Sequence, residues 1–311
     1  MNTLTNFALH SKFEKVKSLR SNLFDVSKLI DWENLAQLFP EKESMKGRPE
    51  YEKILMLKVI FLQSCYSISD EEMEYQCYNR LDFQQFLGFP EQIPDYSTIW
   101  RFREELTEGN ILELIWSELQ DQIKNKGIVI EKGVIQDARF ITADPGKKNS
   151  GMNERGREAR TSRSADGSWT KKGKKSYFGF KMHNKTSIGA KIITEMGIST
   201  AKTHDGKIDL ANPNEINYRD RGYSGCPTKA RGNATMKRGK LSVKDLLRNK
   251  RICKKRCRGE HPYGMMTRSF KAGHTRLTTI ARVYVQQAFV CIAYNFHRLN
   301  FLLRTAIARA L

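Results

Sequence analysis

The stretch GVIQDARFITAD, residues 133–144, reads as a β-strand, rich in branched and aromatic residues after a long helical region. Asp137 interrupts it. Aspartate suits pleated, half-buried positions poorly, so its carboxylate needs compensation from a partner charge, a hydrogen-bond network or a cation.

On the C-terminal side, residues 145–175 are rich in Lys, Arg, Gly and Ser and nearly free of aliphatics, which predicts an exposed loop or hairpin. SYFGFKMHN (176–184) and SIGAKIITEMGIS (187–199) then read as two paired strands, with the turn expected at Asn184 to Thr186. EINYRD (215–220) is a short strand and ATMKR (234–238) a further one. The closing helix is expected from about Leu277 to Leu303. Of Tyr177 and Phe178, adjacent on a strand, one should face the core.

On the N-terminal side the pattern is helical. Residues 51–65 are a mostly apolar helix, and Ser69 with Glu72 forms a capping box at the head of the next. FPEQIP, with Pro90 and Pro94, breaks the chain, and a new helix starts near Ser97. From Asn110, a candidate cap, Ile111, Leu112, Leu114, Ile115, Leu119 and Ile123 recur at helical spacing until Gly127. Trp100 and Trp116 read as core residues. The chain thus divides into helical residues 1–128 and α/β residues 129–311. The helical part is either a DNA-binding or dimerising module or a layer packed on the α/β part.

Charge obeys the same division. The chain of 311 residues carries a net charge of +20. Residues 1–130 hold 15 Lys and Arg against 21 Asp and Glu, and the remainder hold 39 against 13. A cationic half of that size points to a polyanion, with nucleic acid favoured over membrane. The most apolar run, ILMLKVIFL at 54–62, is too short to span a bilayer and carries Lys58. The N-terminus lacks the basic start and apolar stretch of a secretory signal, so the expected compartment is the cytoplasm. The six cysteines show no disulfide spacing and are expected as thiols.

In the basic half each acid stands out. NYRDRGYSG, residues 217–225, sets Asp220 between two arginines before a Gly-Tyr turn, and Glu260 comes one helical turn after Arg256. Asp137, Asp220 and Glu260 offer the hard oxygen donors that Mg²⁺ prefers, and two such ions can activate a nucleophile and stabilise a leaving oxygen in phosphoryl transfer. Spacing alone favours separate surface acids or ion pairs. Cys253, Cys257 and His261 recur every four residues and Cys226 could join them, but Pro262 and the loose spacing speak against zinc.

Several motifs in order are more specific than any one. YEKILMLKVIFLQSCYSISDEEM and PDYSTIWRFRE in the first half, then IQDARFITA, KKSYFGFKMH, THDGKIDL, YRDRGYSG, ATMKR and the R-x3-E helix with HPYG, resemble DDE transposases of the insertion sequence 5 group over most of the chain. The resemblance implies a helical N-terminal transposase domain and an RNase H-like catalytic domain with a mixed sheet. It further implies Asp137, Asp220 and Glu260 as catalytic and metal-ligating acids, with two Mg²⁺ or Mn²⁺ ions per site. Its partners would be double-stranded DNA, both element ends and target, and further copies of the chain that bring two ends together. His204-Asp205 matches a position near that site but reads as a turn or cap. Phosphate contacts are expected from Arg256, Arg268 and Arg221, and from Lys171, Lys172, Lys174 and Lys175 beside the basic loop.

The sequence departs from the family pattern Tyr-x2-Arg-x3-Glu-x6-Lys: Cys253 stands at the tyrosine position and Thr267 at the lysine position. Arg268 could replace the lysine, but one residue along a helix turns a side chain by about 100°. A catalytically decayed or repurposed DNA-binding protein is therefore the second reading.

Overall fold

The computed structural model describes residues 4–19, 21–40, 49–128, 133–147, 164 and 166–310. Two compact units divide it, Met1–Lys126 with Asn295–Leu311, and Gly127–Tyr294.

The first unit is helical: α1 (Leu4–Leu19), α2 (Ser21–Leu29), α3 (Trp32–Ala36), α4 (Lys53–Tyr66), α5 (Asp70–Asn79), α6 (Leu81–Leu87), α7 (Tyr96–Glu105) and α8 (Ile111–Asn125). Helix α4 is apolar all round and correspondingly buried, with Phe61 stacked on Phe86 and edge-on to Trp32. Ser69 Oγ accepts from Glu72 N at 3.2 Å, as the capping box requires, while the Glu72 carboxylate accepts from Gln76 instead of closing the box. Asp95 caps α7 in the same way, accepting from Thr98 N at 2.7 Å. Asn110 occupies the cap position of α8 without a side-chain cap bond. Inside the unit Arg103 donates twice to Asp70, at 2.8 and 2.5 Å. Trp100 is not a core residue, being 44% exposed on α7, and Trp116 is half-buried on α8.

The second unit is built on a mixed sheet. Strands β1 (Gly133–Ala143), β2 (Ser168–Lys172), β3 (Lys175–Ser187), β4 (Ile193–Thr200), β5 (Ile216–Arg219) and β6 (Gly232–Thr235) precede α9 (Val243–Arg256) and α10 (Glu260–Arg268); β7 (His274–Thr275) and α11 (Ile280–Ala310) close the chain. The path runs β2-β3-β1-β5-β6, with β4 also on β3 and β7 on β1. Strand β1 is central, antiparallel to β3 and parallel to β5, which is itself parallel to β6. Antiparallel strands on one side of β1 and parallel strands on the other give the expected RNase H-like α/β arrangement. From Asn295 onward α11 groups with the first unit, where His297 and Asn300 hydrogen-bond Asn22.

Three local features depart from the sequence reading. The β3–β4 turn lies at Ile188–Lys191, not Asn184–Thr186. Asn184, Lys185 and Thr186 stay in register with Asp137, Gln136 and Ile135, and Lys191 supplies the left-handed residue at φ 59°. Lys185 can remain buried there because its ammonium lies 3.2 Å from Glu195 and 3.3 Å from Glu215. The helix expected to carry Arg256 and Glu260 together breaks into a 3₁₀ turn at Cys257–Gly259. Gly259 lies against Ile135, where a Cβ would come within 2.7 Å of Cγ2, and Pro262 falls in the first turn of α10, the part of a helix that tolerates proline. The closing helix starts at Ile280 and continues to Ala310.

Gly179 marks a further constraint on β3. Its φ is +142°, and a Cβ there would fall 2.2 Å from the Ile141 carbonyl oxygen. Here the outer edge of β3 changes partner, from β2 (Ser168 opposite Gly179) to β4 (Thr200 opposite Phe180). Phe178 is the core-facing member of the Tyr177–Phe178 pair.

Candidate active site

Strands β1 and β5 are paired in parallel at Ile135 and Tyr218. Two residues beyond that pair stand Asp137, midway along β1, and Asp220, just past the end of β5, so β-strand periodicity brings two carboxylates from sequence positions 83 apart to one level on neighbouring chain segments. Asp220 ends β5 and caps the 3₁₀ turn Arg221–Tyr223, its Oδ1 accepting from Gly222 N at 2.8 Å. Its arginine neighbours do not pair with it among the described residues. Arg219 is fully buried, donating to Thr235 Oγ1, Pro227 O and Cys226 O at 2.9, 3.0 and 2.9 Å, and Arg221 is exposed.

Asp137 is held more tightly. Tyr263 Oη donates to its main-chain carbonyl at 2.8 Å, Ala138 N donates to Oδ1 at 3.0 Å, and Arg256 Nη2 donates to Oδ2 at 3.0 Å. Burial pushes its pKa above the ordinary carboxylate range; Arg256 opposes the shift, and the charges of Asp220 and Asp205 add to it. Burial likewise raises Tyr223, with Asp205, Asp137 and Asp220 adding to it, and the Tyr223 hydroxyl is buried with no hydrogen-bond partner among the described residues. Asn184, opposite Asp137 in the β1–β3 register, also has both amide atoms buried without partners among the described residues.

Asp205 belongs to this electrostatic neighbourhood although it does not act as a cap. His204 Nδ1 makes the cap, accepting from Gly206 N at 3.1 Å, while Asp205 Oδ1 accepts from Lys181 Nζ at 2.9 Å. Residue type and spacing did not mark Tyr223, Tyr263 and Asn184 as site residues, though the first two lie inside the DRGYSG and HPYG motifs.

Glu260 begins α10 four residues after Arg256 and is exposed. It makes no hydrogen bond or ion pair among the described residues, and among them no three Asp, Glu, His or Cys side chains gather as a metal-binding group. Thr267 Oγ1 is turned back on its own helix, donating to Tyr263 O at 2.6 Å, and Arg268 Nε donates to Gly264 O at 3.3 Å. Arg139 also donates to Tyr263 O, at 2.8 Å. Cys257 Sγ donates to Lys254 O at 3.1 Å, and His261 Nδ1 lies 3.1 Å from Tyr294 Oη.

The lysines form a separate cationic feature. Lys171, Lys172, Lys174 and Lys175 crowd the exposed tip of the β2–β3 hairpin around Gly173, with Lys172 directly opposite Lys175. Like charges facing each other across a strand pair repel, a strain that a bound polyanion would relieve. Most of the basic loop expected before this hairpin, residues 148–163 and 165, lies outside the described residues.

The donor chemistry at Asp137 and Asp220 suits a hard divalent cation. A half-buried carboxylate whose pKa is raised first by desolvation and further by two neighbouring acids is one whose ionised form a cation would stabilise.

Two family models match the chain: Transposase domain (DUF772) over residues 11–105, and Transposase DDE domain over residues 130–296. No solved structure matches it. Among the described residues no helix is long and apolar enough to cross a membrane.

Proposed function

The chain belongs to the DDE transposase family, and we propose that it binds the ends of an insertion sequence, of the insertion sequence 5 group, and catalyses metal-dependent strand cleavage and strand transfer. The observation that carries this reading is the placement of Asp137 and Asp220 at one level on paired parallel strands inside the matched DDE region.

In this reading Asp137, Asp220 and Glu260 would hold Mg²⁺ or Mn²⁺, two ions per site. When bound, the ions supply activation of the attacking hydroxyl and neutralisation of charge on the departing oxygen. The protein's own groups do the positioning. Tyr263 fixes the Asp137 main chain, and the turn capped by Asp220 fixes that carboxylate's direction. Arg256 partners Asp137, and its guanidinium fork is the group beside the carboxylates that would hold a DNA phosphate. Arg268, Arg221 and the hairpin lysines hold the phosphodiester backbone, contacts that position the duplex without reading its sequence. At least two copies act together, because two element ends must be joined, and the compartment of action is the cytoplasm.

A catalytically decayed, DNA-binding relative is the second reading. It is favoured by Thr267 at the family's lysine position, tied to the Tyr263 carbonyl, and by Glu260 standing without contact to either aspartate among the described residues.

The deciding experiment is cleavage and joining of DNA carrying the flanking element ends, with Mg²⁺ or Mn²⁺, by the native protein and by Asp220→Asn. Metal-dependent cleavage that disappears in the variant supports the transposase reading. Binding of the ends with no cleavage by either protein supports the second.

A further inference from the structure

A cavity of about 800 Å³ opens between the N-terminal ends of β1, β5 and β6 and helix α9. Its floor is apolar: Ile188, Tyr218 and Ile252 are buried in one cluster, Ala234 packs against it, and Ile216 is 42% exposed. Its rim is cationic. Arg248 is tethered to the Thr235 carbonyl and Lys255 to the Tyr218 hydroxyl, at 2.7 and 2.8 Å. Arg251, Lys254 and Arg258 also line the cavity and make no side-chain hydrogen bond or ion pair among the described residues, and no acid is part of its lining.

These two properties narrow the occupant. The volume is within the usual range for small-molecule sites, roughly 300 to 1,000 Å³. Five cations exceed what one carboxylate headgroup would neutralise, whereas an apolar planar group flanked by successive anions matches both floor and rim. A nucleotide within a DNA strand has that form: every base offers an apolar face, and each flanking phosphate carries a charge.

The cavity is connected to the acids through two elements. Ile216 at the cavity and Asp220 are four residues apart on and just after β5, about 13 Å of strand. On α9, Lys255 lines the cavity while the next residue, Arg256, reaches Asp137.

We propose that this cavity receives one unpaired nucleotide of the bound DNA, its base on the Ile216–Ala234 floor and its flanking phosphates on Arg251, Lys254 and Arg258. The proposal rests on the DNA reading given above and adds a site separate from the carboxylates.

The test uses the full-length protein and two duplexes of the same sequence, one fully paired and one with a single unpaired 2-aminopurine nucleotide, in buffer without divalent metal. The native protein is expected to bind the second about tenfold more tightly and to change the fluorescence of the 2-aminopurine. Ala234→Trp, which fills the floor and leaves the rim intact, should abolish both the preference and the fluorescence change while retaining affinity for the paired duplex. Should that variant fail to fold, Arg251→Ala combined with Lys254→Ala should erase most of the preference without altering the floor. Equal affinity for the two duplexes with no fluorescence change overturns the cavity proposal alone. Failure to bind either duplex overturns the DNA reading along with it. Displacement of the fluorescence change by an acidic, aromatic peptide but not by excess unlabelled bulged DNA would assign the cavity to a protein partner and also overturn the proposal.

Discussion

Arg256 Nη2 lies 3.0 Å from Asp137 Oδ2, joining the arginine of the R-x3-E motif to the first aspartate across 119 residues of chain. The pair is part-buried, and Arg256 Nε is buried with no partner among the described residues. Removing one member of such a pair leaves the other uncompensated, at a cost of about 3 kcal/mol. Arg256→Met is therefore expected to lower metal-free stability by about that amount at neutral pH, with added Mg²⁺ recovering part of it. Denaturation with and without chelator checks this; a variant as stable as the native protein would show that the ion pair contributes nothing.

The raised pKa of Asp137 fixes a direction for pH dependence. The folded state holds that proton more tightly than the unfolded chain, so this contribution to stability is fully present below the ordinary aspartate value of about 3.9 and is lost as pH rises through the raised folded value. Asp220→Asn keeps the Oδ1 cap on Gly222 while removing a charge that opposes ionisation of Asp137. In chelator at pH 7 the variant should be more stable by about 1 kcal/mol. The gain should vanish at acid pH, and Mg²⁺ should raise the melting temperature of the native protein only. A lower melting temperature for the variant in chelator would contradict this account.

At the hairpin tip, replacing Lys171, Lys172, Lys174 and Lys175 with alanine should weaken binding to all duplex sequences alike. For every phosphate that the altered tip no longer neutralises, the slope of log affinity against log salt should become shallower by about 0.9. Fluorescence anisotropy across a salt series measures it. An unchanged slope would remove the hairpin from the DNA interface.

Gly179→Ala places a Cβ against the Ile141 carbonyl in a backbone conformation alanine resists. A loss of about 2 kcal/mol or more is expected by thermal denaturation, because the backbone strain and the steric clash act together. A melting temperature equal to the native one would mean that β3 can shift freely at its change of partner.

Arg219→Met should cost still more, about 3 kcal/mol, since the carbonyls of Cys226 and Pro227 and the hydroxyl of Thr235 lose their donor together. Arg219→Lys should recover little, because an ammonium cannot reproduce the fork. Urea denaturation of the three proteins distinguishes the outcomes.

Local patterns in the sequence anticipated the local structure well. Strand β1 around Asp137, the Ser69 cap and the short strand before Asp220 arise from alternation, branching and turn chemistry within a few residues. What sequence could not supply were relationships between distant segments. Lys185 looked like part of a turn because its two acids, Glu195 and Glu215, come from elsewhere in the chain. Arg219 read only as one of two arginines flanking Asp220, and it is fully buried because carbonyls from the loop after β5 surround its guanidinium. The alignment of Asp137 with Asp220 depends on the β1–β5 register, which no window along the chain contains. The break at Cys257–Gly259 arises where Gly259 meets Ile135, a contact between residues 124 positions apart.

The grouping of the last turns of α11 with the opening helices bears on inheritance as much as on architecture. A copy of the gene cut short after residue 294 would retain Asp137, Asp220 and Glu260 but deprive Asn22 of His297 and Asn300. Residues 295–310 and the opening helices thus belong to one folded unit. Mutations in the codons for residues 295–310 are expected to be felt first in the helical unit that contains Asn22, without any candidate catalytic codon being touched.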